Sequence, residues 1–159
     1  MKNDLCRNNL VTGGAGFIGS NLIYKLLELK ENVTCIDDLS TGVSENIDRW
    51  KRNKQFTFYN HDVTKKLNID ERIDRIWHLA CPASPYYYLK DPVRTACISF
   101  IGTYNFLELA RSKNAQFLLA STSEIYGNQN IYPQMENNNG SVDILNSRAC
   151  YSEGKRLAE

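Results

Sequence analysis

The sequence predicts an α/β protein whose parallel sheet carries helices on both faces. Five short apolar runs alternate with stretches of helical spacing, which is typical of parallel strands joined by right-handed crossovers. A glycine-rich stretch, residues 11–20, lies between the first run and the first helix. Polar residues follow the runs, at the points where sheets of this class bind ligands. Together these observations predict a doubly wound parallel sheet of the Rossmann type.

The first half of the chain is predicted to supply three strands and one long helix. Apolar residues over 17–29 recur at helical spacing and form one dominant face. Strands are predicted at 5–12, at Asn32–Asp37 and at Phe56–Asn60. Residues 38–44 have the composition of a loop, and residues 45–50 can form a short helix.

The second half is predicted to supply two more strands and two helices. A strand over 73–79 leads into a proline-rich loop, 80–91. Pro92 suits the first position of a helix, because its missing N–H has no partner there in any case, and this helix is predicted to run to about residue 113. The fifth strand, 116–120, is apolar over 117–120, which favours a strand covered on both faces. A polar loop, 127–147, precedes a final helix over 148–159.

Length and composition favour one globular domain, predicted to span residues 1–159. Hydrophobic residues make up 42% and charged residues 23% of the chain. The net charge is +1 with no charged block, so neither nucleic acid nor an anionic membrane is an expected partner. No apolar run approaches the ~20 residues of a membrane span, and residues 1–9 lack the apolar core of a signal peptide. We therefore expect a cytoplasmic location.

Cysteines and histidines show neither a disulfide pattern nor a metal pattern. The five cysteines are odd in number and lack a C-x-x-C spacing, so they are expected to be reduced thiols. The two histidines, His61 and His78, have no partner ligands at metal spacing and are expected to be structural. No metal site is predicted.

Residues 13–19 predict a site for the pyrophosphate of a dinucleotide. Gly13, Gly16 and Gly19 are spaced by three residues. One glycine permits a tight turn, one lets the backbone approach the phosphates, and one lets the helix pack closely on the strand. The free N–H groups and the positive dipole end of the helix then face the phosphates. Phe17 and Ile18, in the first turn of that helix, belong to the same predicted site.

Asp37 ends the second predicted strand, about 20 residues after the glycines. An acid at this position can accept hydrogen bonds from a ribose diol and repels a 2′-phosphate, which favours NAD over NADP. The alternative is a solvated acid at a strand end. The other strand-end residues expected to contact the cofactor are Asp38, Ser40, Thr41, Gly42, Asp62, Val63, Leu79 and Ala80. For Asp62 the alternative is a turn-forming role ahead of Thr64.

Tyr151 and Lys155 are four residues apart and share one face of the last predicted helix. A phenol with a pKa of ~10 is a poor base at neutral pH, but a nearby ammonium and a cationic nicotinamide lower its pKa. The pair therefore predicts a proton-transfer unit. A hydroxyl from residues 121–124 can hydrogen-bond the substrate hydroxyl that Tyr151 deprotonates; the alternative for these residues is capping or turn formation.

Several separated motifs resemble the extended short-chain dehydrogenase/reductases, which are NAD-dependent sugar-nucleotide epimerases, dehydratases and decarboxylases. They are Thr12-Gly13-Gly14-Ala15-Gly16-Phe17-Ile18-Gly19, Asp37, Ser121-Thr122-Ser123-Glu124-Ile125-Tyr126-Gly127 and Tyr151-x-x-x-Lys155. The resemblance implies bound NAD and catalytic roles for Tyr151, Lys155, Thr122 and Glu124. It also implies a homodimer formed through the helix after Pro92 and the final helix.

Within this family, residues 78–85, 118–124 and 148–156 are most similar to the UDP-glucuronate decarboxylases. That similarity implies conversion of UDP-glucuronate to UDP-xylose and CO2 through a 4-keto intermediate. Family members continue far beyond the position of Glu159, so the last strands and the substrate domain are expected to be absent and the chain to be an inactive fragment.

Two alternatives stay open: a dTDP-glucose 4,6-dehydratase or 4-epimerase sibling, and a non-catalytic NAD-binding protein. The dehydratases carry an acid where this chain has Ser123, which favours decarboxylation over dehydration. Cys97 and Ser99 stand where the decarboxylases have Lys and Asn, and that lysine contacts substrate in the resembled enzymes.

Overall fold

The computed structural model describes residues 6–127 and 132–159, which form a five-stranded parallel sheet flanked by helices. The strands are β1 (Asn8–Thr12), β2 (Asn32–Asp37), β3 (Phe56–Asn60), β4 (Arg75–His78) and β5 (Gln116–Leu119). The helices are α1 (Phe17–Glu28), α2 (Glu45–Asp48), α3 (Pro85–Tyr88), α4 (Pro92–Cys97), α5 (Thr103–Lys113) and α6 (Ala149–Ala158). A π-helical turn, Ile98–Gly102, joins α4 to α5, and a 3-10 helix covers Ser123–Tyr126.

The strand order is β3-β2-β1-β4-β5, with parallel pairing throughout. The connection direction reverses at β1, between β2 and β4. In doubly wound sheets, ligands bind at this switch point, beyond the carboxyl ends of the strands. The predicted doubly wound sheet is confirmed.

Two buried apolar layers hold the helices to the sheet. On one face, Ile23 of α1 belongs to a cluster with Val11 of β1. On the other face, Phe106 of α5 belongs to a cluster with Leu10 and Ile76. Leu10 and Val11 serve opposite layers because successive side chains of a strand point to opposite faces. The carboxyl end of β1 is therefore fixed from both sides.

Element boundaries differ from the predictions mainly in the connections. β1 begins at Asn8, and the predicted start at residue 5 lies outside the described residues. Within the predicted loop 80–91, Pro85 takes the first position of the short helix α3. The predicted helix 92–113 is continuous but widens into the π-helical turn. Gly102 in this turn allows close packing, since a Cβ there would lie 2.9 Å from Val63 Cγ2. Of the polar loop 127–147, residues 128–131 lie outside the described part.

The prediction that β5 is covered on both faces is wrong. Phe117 packs with the α5 layer, but Leu118, on the opposite face, is 45% exposed. β5 is the edge strand, and in the described part of the chain helices cover only one of its faces. The apolar pattern alone does not distinguish these two environments.

No helix within residues 6–127 and 132–159 combines the length and the apolarity needed to cross a membrane. In the same ranges, no three His, Cys, Asp or Glu side chains are grouped so that they could hold a metal ion. The five cysteines are free thiols.

Candidate cofactor and active site

A cavity of about 420 Å³ opens at the carboxyl ends of the central strands. Its volume is typical of small-molecule and cofactor sites. The sequence-predicted residues that line it are Gly13, Gly16, Phe17, Ile18, Gly19, Asp37, Asp38, Ser40, Thr41, Gly42, Val63, Leu79, Ala80, Tyr151 and Lys155. The structure therefore brings the glycine loop, the acid after β2 and the tyrosine–lysine pair to one cavity.

Three predicted site residues do not line this cavity. The carboxylate of Asp62 accepts hydrogen bonds from the Thr64 N–H at 2.9 Å and the Thr64 hydroxyl at 2.8 Å, which is the turn-forming alternative. Thr122 caps the 3-10 helix by accepting from the Glu124 N–H at 3.2 Å. Glu124 lines a separate cavity of about 180 Å³. The 3-10 helix thus carries Glu124 to the smaller cavity, while the Thr122 hydroxyl also contacts Tyr151 in the wall of the larger one.

The glycine loop lets β1, β4 and α1 meet without side chains between them. Gly13 has a φ of +69°, and a Cβ there would lie 2.9 Å from the Ala80 nitrogen. A Cβ on Gly19 would overlap the carbonyl oxygen of Gly13. On Gly16, a Cβ would meet only the Gly13 oxygen, at 3.2 Å. Gly16 therefore presents bare backbone to the cavity, where the first turn of α1 also lies.

A hydrogen-bond network ties the ends of β1 and β4 together beneath the loop. Thr12 Oγ1 accepts from the N–H groups of Leu79 and Ala80, each at 3.1 Å. A hydroxyl has two acceptor lone pairs and one proton, so this proton is left to donate to His78 Nδ1, 2.9 Å away. In that arrangement Nε2 carries the proton of His78 and has no hydrogen-bond partner among the described residues. Burial, assisted by the charge of Lys155, lowers the pKa of His78 to about 3.

Asp37 is buried, which excludes the alternative of a solvated acid. One carboxylate oxygen accepts from the Ala15 N–H at 2.9 Å and the other from the Leu39 N–H at 2.8 Å. Burial raises the pKa of Asp37, although these two backbone hydrogen bonds oppose the shift. A carboxylate oxygen can accept more than one hydrogen bond. Asp37 can therefore brace the glycine loop and still accept from a ligand in the cavity.

Tyr151 and Lys155 lie on one face of α6, and both are buried in the cavity wall. Lys155 Nζ donates to the Ala120 carbonyl oxygen at 2.7 Å, and burial lowers the pKa of Lys155. Burial raises the pKa of Tyr151, while a hydrogen bond with the Thr122 hydroxyl opposes that shift. The expected lowering of the Tyr151 pKa by the neighbouring ammonium is not found in this structure, because desolvation dominates.

Two neighbours of Tyr151 were not predicted from the sequence. The ring of Tyr88 stacks on the ring of Tyr151, with centroids 5.0 Å apart and planes inclined by 2°. Arg148 precedes α6 by one residue and pairs with Glu124 at 2.5 Å. This ion pair raises the pKa of Arg148. Tyr88 is thus held against Tyr151, and the Glu124 carboxylate is directed to the start of α6.

Several cavity residues were also missed by sequence reasoning. They are His61, Cys81, Pro82, Ala83, Ile98 and Ala120; Ser121, one of the predicted hydroxyl residues 121–124, lines the cavity as well. Most of them directly follow strand ends, so the rule that identified Ala80 could have been extended to its neighbours. Ile98 carried no such signal, because it reaches the cavity from the π-helical turn.

The chain is similar to curated UDP-glucuronic acid decarboxylases. It is 49% identical over 151 residues to UDP-glucuronic acid decarboxylase 3 of Arabidopsis thaliana, covering 94% of this chain and 44% of the relative. It is 47% identical over 150 residues to UDP-glucuronic acid decarboxylase 1 of Danio rerio, covering 94% of this chain and 35% of the relative. The chain thus spans less than half the length of these relatives.

Solved structures of sugar-nucleotide enzymes share the fold. A UDP-glucose 4-epimerase from Thermotoga maritima, solved with UDP-glucose, has a TM-score of 0.78 at 30% identity over 95% of this chain and 48% of its own. DesIV, a dTDP-glucose 4,6-dehydratase from Streptomyces venezuelae solved with NAD, has a TM-score of 0.82 at 23% identity over 95% of this chain and 49% of its own. The model of the GDP-mannose 4,6 dehydratase family matches residues 10–159. By this match the chain belongs to the GDP-mannose 4,6 dehydratase family, within the extended short-chain dehydrogenase/reductases.

Proposed function

We propose that the cavity binds NAD. The observation that carries this proposal is that the glycine loop, Asp37 and the Tyr151–Lys155 pair, which are distant in sequence, line one cavity. The loop fits a pyrophosphate because Gly16 leaves a cradle that a Cβ would fill. Asp37 fits a ribose diol and disfavours a 2′-phosphate. Asp38, Ser40, Thr41 and Gly42 then form the adenosine side, and Leu79 and Ala80 line the path towards Tyr151.

We further propose that the reaction is decarboxylation of UDP-glucuronate to UDP-xylose. The proposal is supported by the names of the curated relatives and by the residues around Tyr151. NAD, when bound, supplies a reversible hydride acceptor. Tyr151 accepts the proton of the sugar 4-hydroxyl, and Thr122, whose hydroxyl interacts with the phenol, orients that hydroxyl. Lys155 holds α6 to the end of β5 through Ala120 and lines the cavity, where it would hold the cofactor ribose.

The raised pKa of Tyr151 has a consequence for this mechanism. The raised pKa favours the protonated phenol in this structure, and this form returns a proton, whereas the phenolate is the form that accepts one. Positive charge in the adjacent cavity favours the phenolate, which couples the basicity of Tyr151 to occupation of the site. We expect Tyr151 to titrate at lower pH when the cavity is filled.

Isothermal titration with NAD and NADP, followed by incubation with UDP-glucuronate, tests both proposals. We expect saturable NAD binding, with NADP bound at least about tenfold more weakly because of Asp37. Residues 1–159 alone are expected to bind NAD without turnover. In a chain of the relatives' length, CO2 and UDP-xylose are the expected products, and Tyr151→Phe should lower their rate by about 100-fold while NAD affinity is retained. Failure to bind NAD would contradict the cofactor proposal.

Other outcomes of that experiment identify the remaining candidates. Conversion of dTDP-glucose but not UDP-glucuronate would contradict decarboxylation and indicate a 4,6-dehydratase. In a chain of the relatives' length, NAD binding without conversion of either sugar nucleotide would favour a non-catalytic NAD-binding protein, a candidate favoured by the departures at Cys97 and Ser99; the same result with residues 1–159 alone fits the inactive fragment expected from the sequence. The cytoplasmic location expected from the sequence stays a prediction.

We propose that the chain forms a homodimer through α6 and the continuous helical segment 92–113, which comprises α4, the π-helical turn and α5. Phe100, Tyr104 and Leu107 recur at helical spacing and are exposed, and Leu157 of α6 is exposed as well. An exposed apolar row of this kind marks an interaction surface. Tyr104→Glu should convert the dimer to a monomer, as measured by size-exclusion chromatography with light scattering. Tyr86→Glu, at another exposed tyrosine, should leave the dimer intact. A monomeric wild-type chain would contradict the proposal.

A further inference from the structure

Arg94 joins two carboxylates beside the adenosine end of the cavity. One guanidinium nitrogen lies 3.0 Å from Asp38 Oδ2, and another lies 3.3 Å from Asp62 Oδ2. Arg94 itself is held in the first turn of α4, where its N–H donates to the capping carboxylate of Asp91 at 3.0 Å. A single side chain therefore connects α4 to the loops that follow β2 and β3.

Each aspartate uses its other oxygen within its own loop. Asp38 Oδ1 accepts from the Ser40 N–H at 3.0 Å, and Asp62 Oδ1 accepts from the Thr64 N–H at 2.9 Å. The Oδ2 atoms of both residues are thus left for Arg94. A guanidinium carries five donors in a planar fork, so it can hold both carboxylates at once. The orientation of Asp38, which lines the cavity, therefore depends on Arg94.

The same contact balances charge at this end of the cavity. Asp37, Asp38 and Asp62 place three carboxylates around it, and Arg94 contacts two of them. Partial burial raises the pKa of Asp62, but hydrogen bonds from Thr64 and the charge of Arg94 leave it below its usual value. Asp62 is therefore ionised at neutral pH. A dinucleotide carries a negative diphosphate, so removal of Arg94 would leave like charges facing the ligand.

We propose that Arg94 is a positioning residue that sets the affinity of the cavity for the adenosine half of the cofactor. It does so by neutralising Asp38 and Asp62 and by fixing the two loops that carry them. This inference rests on the proposed NAD site. The electrostatic part of the effect predicts a dependence on salt, because screening weakens repulsion between partly exposed charges.

Binding of NAD, ADP-ribose and nicotinamide mononucleotide to wild type, Arg94→Met and Arg94→Lys tests the inference. At low salt, Arg94→Met should lower the affinity for NAD and for ADP-ribose by about tenfold. Arg94→Lys keeps the charge but loses the planar fork of donors, so its affinities should lie between those of wild type and Arg94→Met. Nicotinamide mononucleotide should bind equally to all three. In 1 M salt, where the Debye length is about 3 Å, the loss in Arg94→Met should shrink to about threefold.

Two further variants separate charge from structure. Adding Asp38→Asn to Arg94→Met removes one of the unpaired carboxylates and should recover part of the lost affinity. Arg111→Met removes an arginine that pairs with Glu108 on the exposed surface of α5, and should bind all three ligands like wild type.

The outcomes of these measurements distinguish the two proposals. A wild-type chain that does not bind NAD overturns the proposed cofactor site. A wild-type chain that binds NAD while Arg94→Met loses nothing, or loses the same factor at both salt concentrations, overturns the role of Arg94 alone. Should Arg94→Met prove unfolded by circular dichroism, Arg94→Lys decides the question: if it binds NAD and ADP-ribose as tightly as wild type does at low salt, the role of Arg94 is overturned.

Discussion

Gly19→Ala is expected to destabilise the fold by about 3 kcal/mol, at the upper end of typical overpacking costs. The added Cβ would overlap the Gly13 carbonyl oxygen and lie 2.7 Å from Gly14 Cα. Both neighbours are backbone atoms of the glycine loop, so neither can rotate away. The gain of about 1 kcal/mol from placing alanine in a helix does not offset this overlap. Urea or thermal unfolding of the purified variant measures the loss.

Gly16→Ala provides the matched control, three residues earlier in the same loop. Its Cβ would meet only the Gly13 oxygen, at 3.2 Å, so we expect a stability change within about 1 kcal/mol. The methyl group projects into the cavity, where the pyrophosphate is proposed to lie, and NAD affinity should fall by about thirtyfold. Equal loss of stability in the two variants, or NAD bound normally by Gly16→Ala, would contradict this division of roles.

The features that sequence reasoning identified correctly are those with local causes. The turn at Gly13 requires a positive φ, which glycine adopts readily. Pro92 suits the first position of a helix, and the apolar spacing after Gly16 matches one face of a helix. Each constraint acts within a few residues and leaves a signature in the sequence. The doubly wound parallel sheet then followed from the general rule for alternating strands and helices, while the strand order was read from the structure. Asp37 was located by its position after β2, although its burial and its bonds to the loop were not foreseen.

The features that sequence reasoning missed depend on neighbours distant in the chain. Asp62 and Arg94 are both charged residues in loops or helix starts, and nothing local indicates that they meet. The network of Thr12 and His78 forms only when β1 lies beside β4. The raised pKa of Tyr151 in this structure was not foreseen, because its cause is desolvation, which the sequence does not show; the lowering predicted for the state with a cationic nicotinamide stays a prediction.

The stability of the fold is expected to decrease at acidic pH because of His78. Its pKa is about 3 in the folded chain, against a usual value of 6.5. The unfolded chain therefore takes up the proton first, so the stabilisation is complete above pH 6.5 and is lost as the pH falls towards about 3. Each pH unit below 6.5 costs up to about 1.4 kcal/mol, which gives a loss of about 2 kcal/mol between pH 7 and pH 5. That is a substantial part of the stability of a typical domain.

Comparison of wild type with His78→Asn isolates this contribution from that of the carboxylates. The amide oxygen of asparagine can still accept from Thr12, but the side chain does not titrate, and its stacking on Phe106 is lost. The variant should be less stable at pH 7, and its deficit in free energy of unfolding should shrink by about 2 kcal/mol at pH 5. His61→Gln, at the other histidine, controls for removal of one imidazole without touching the Thr12–His78 pair. A deficit of the same size at pH 7 and pH 5 would show that burial of neutral His78 does not govern the acid sensitivity of the fold.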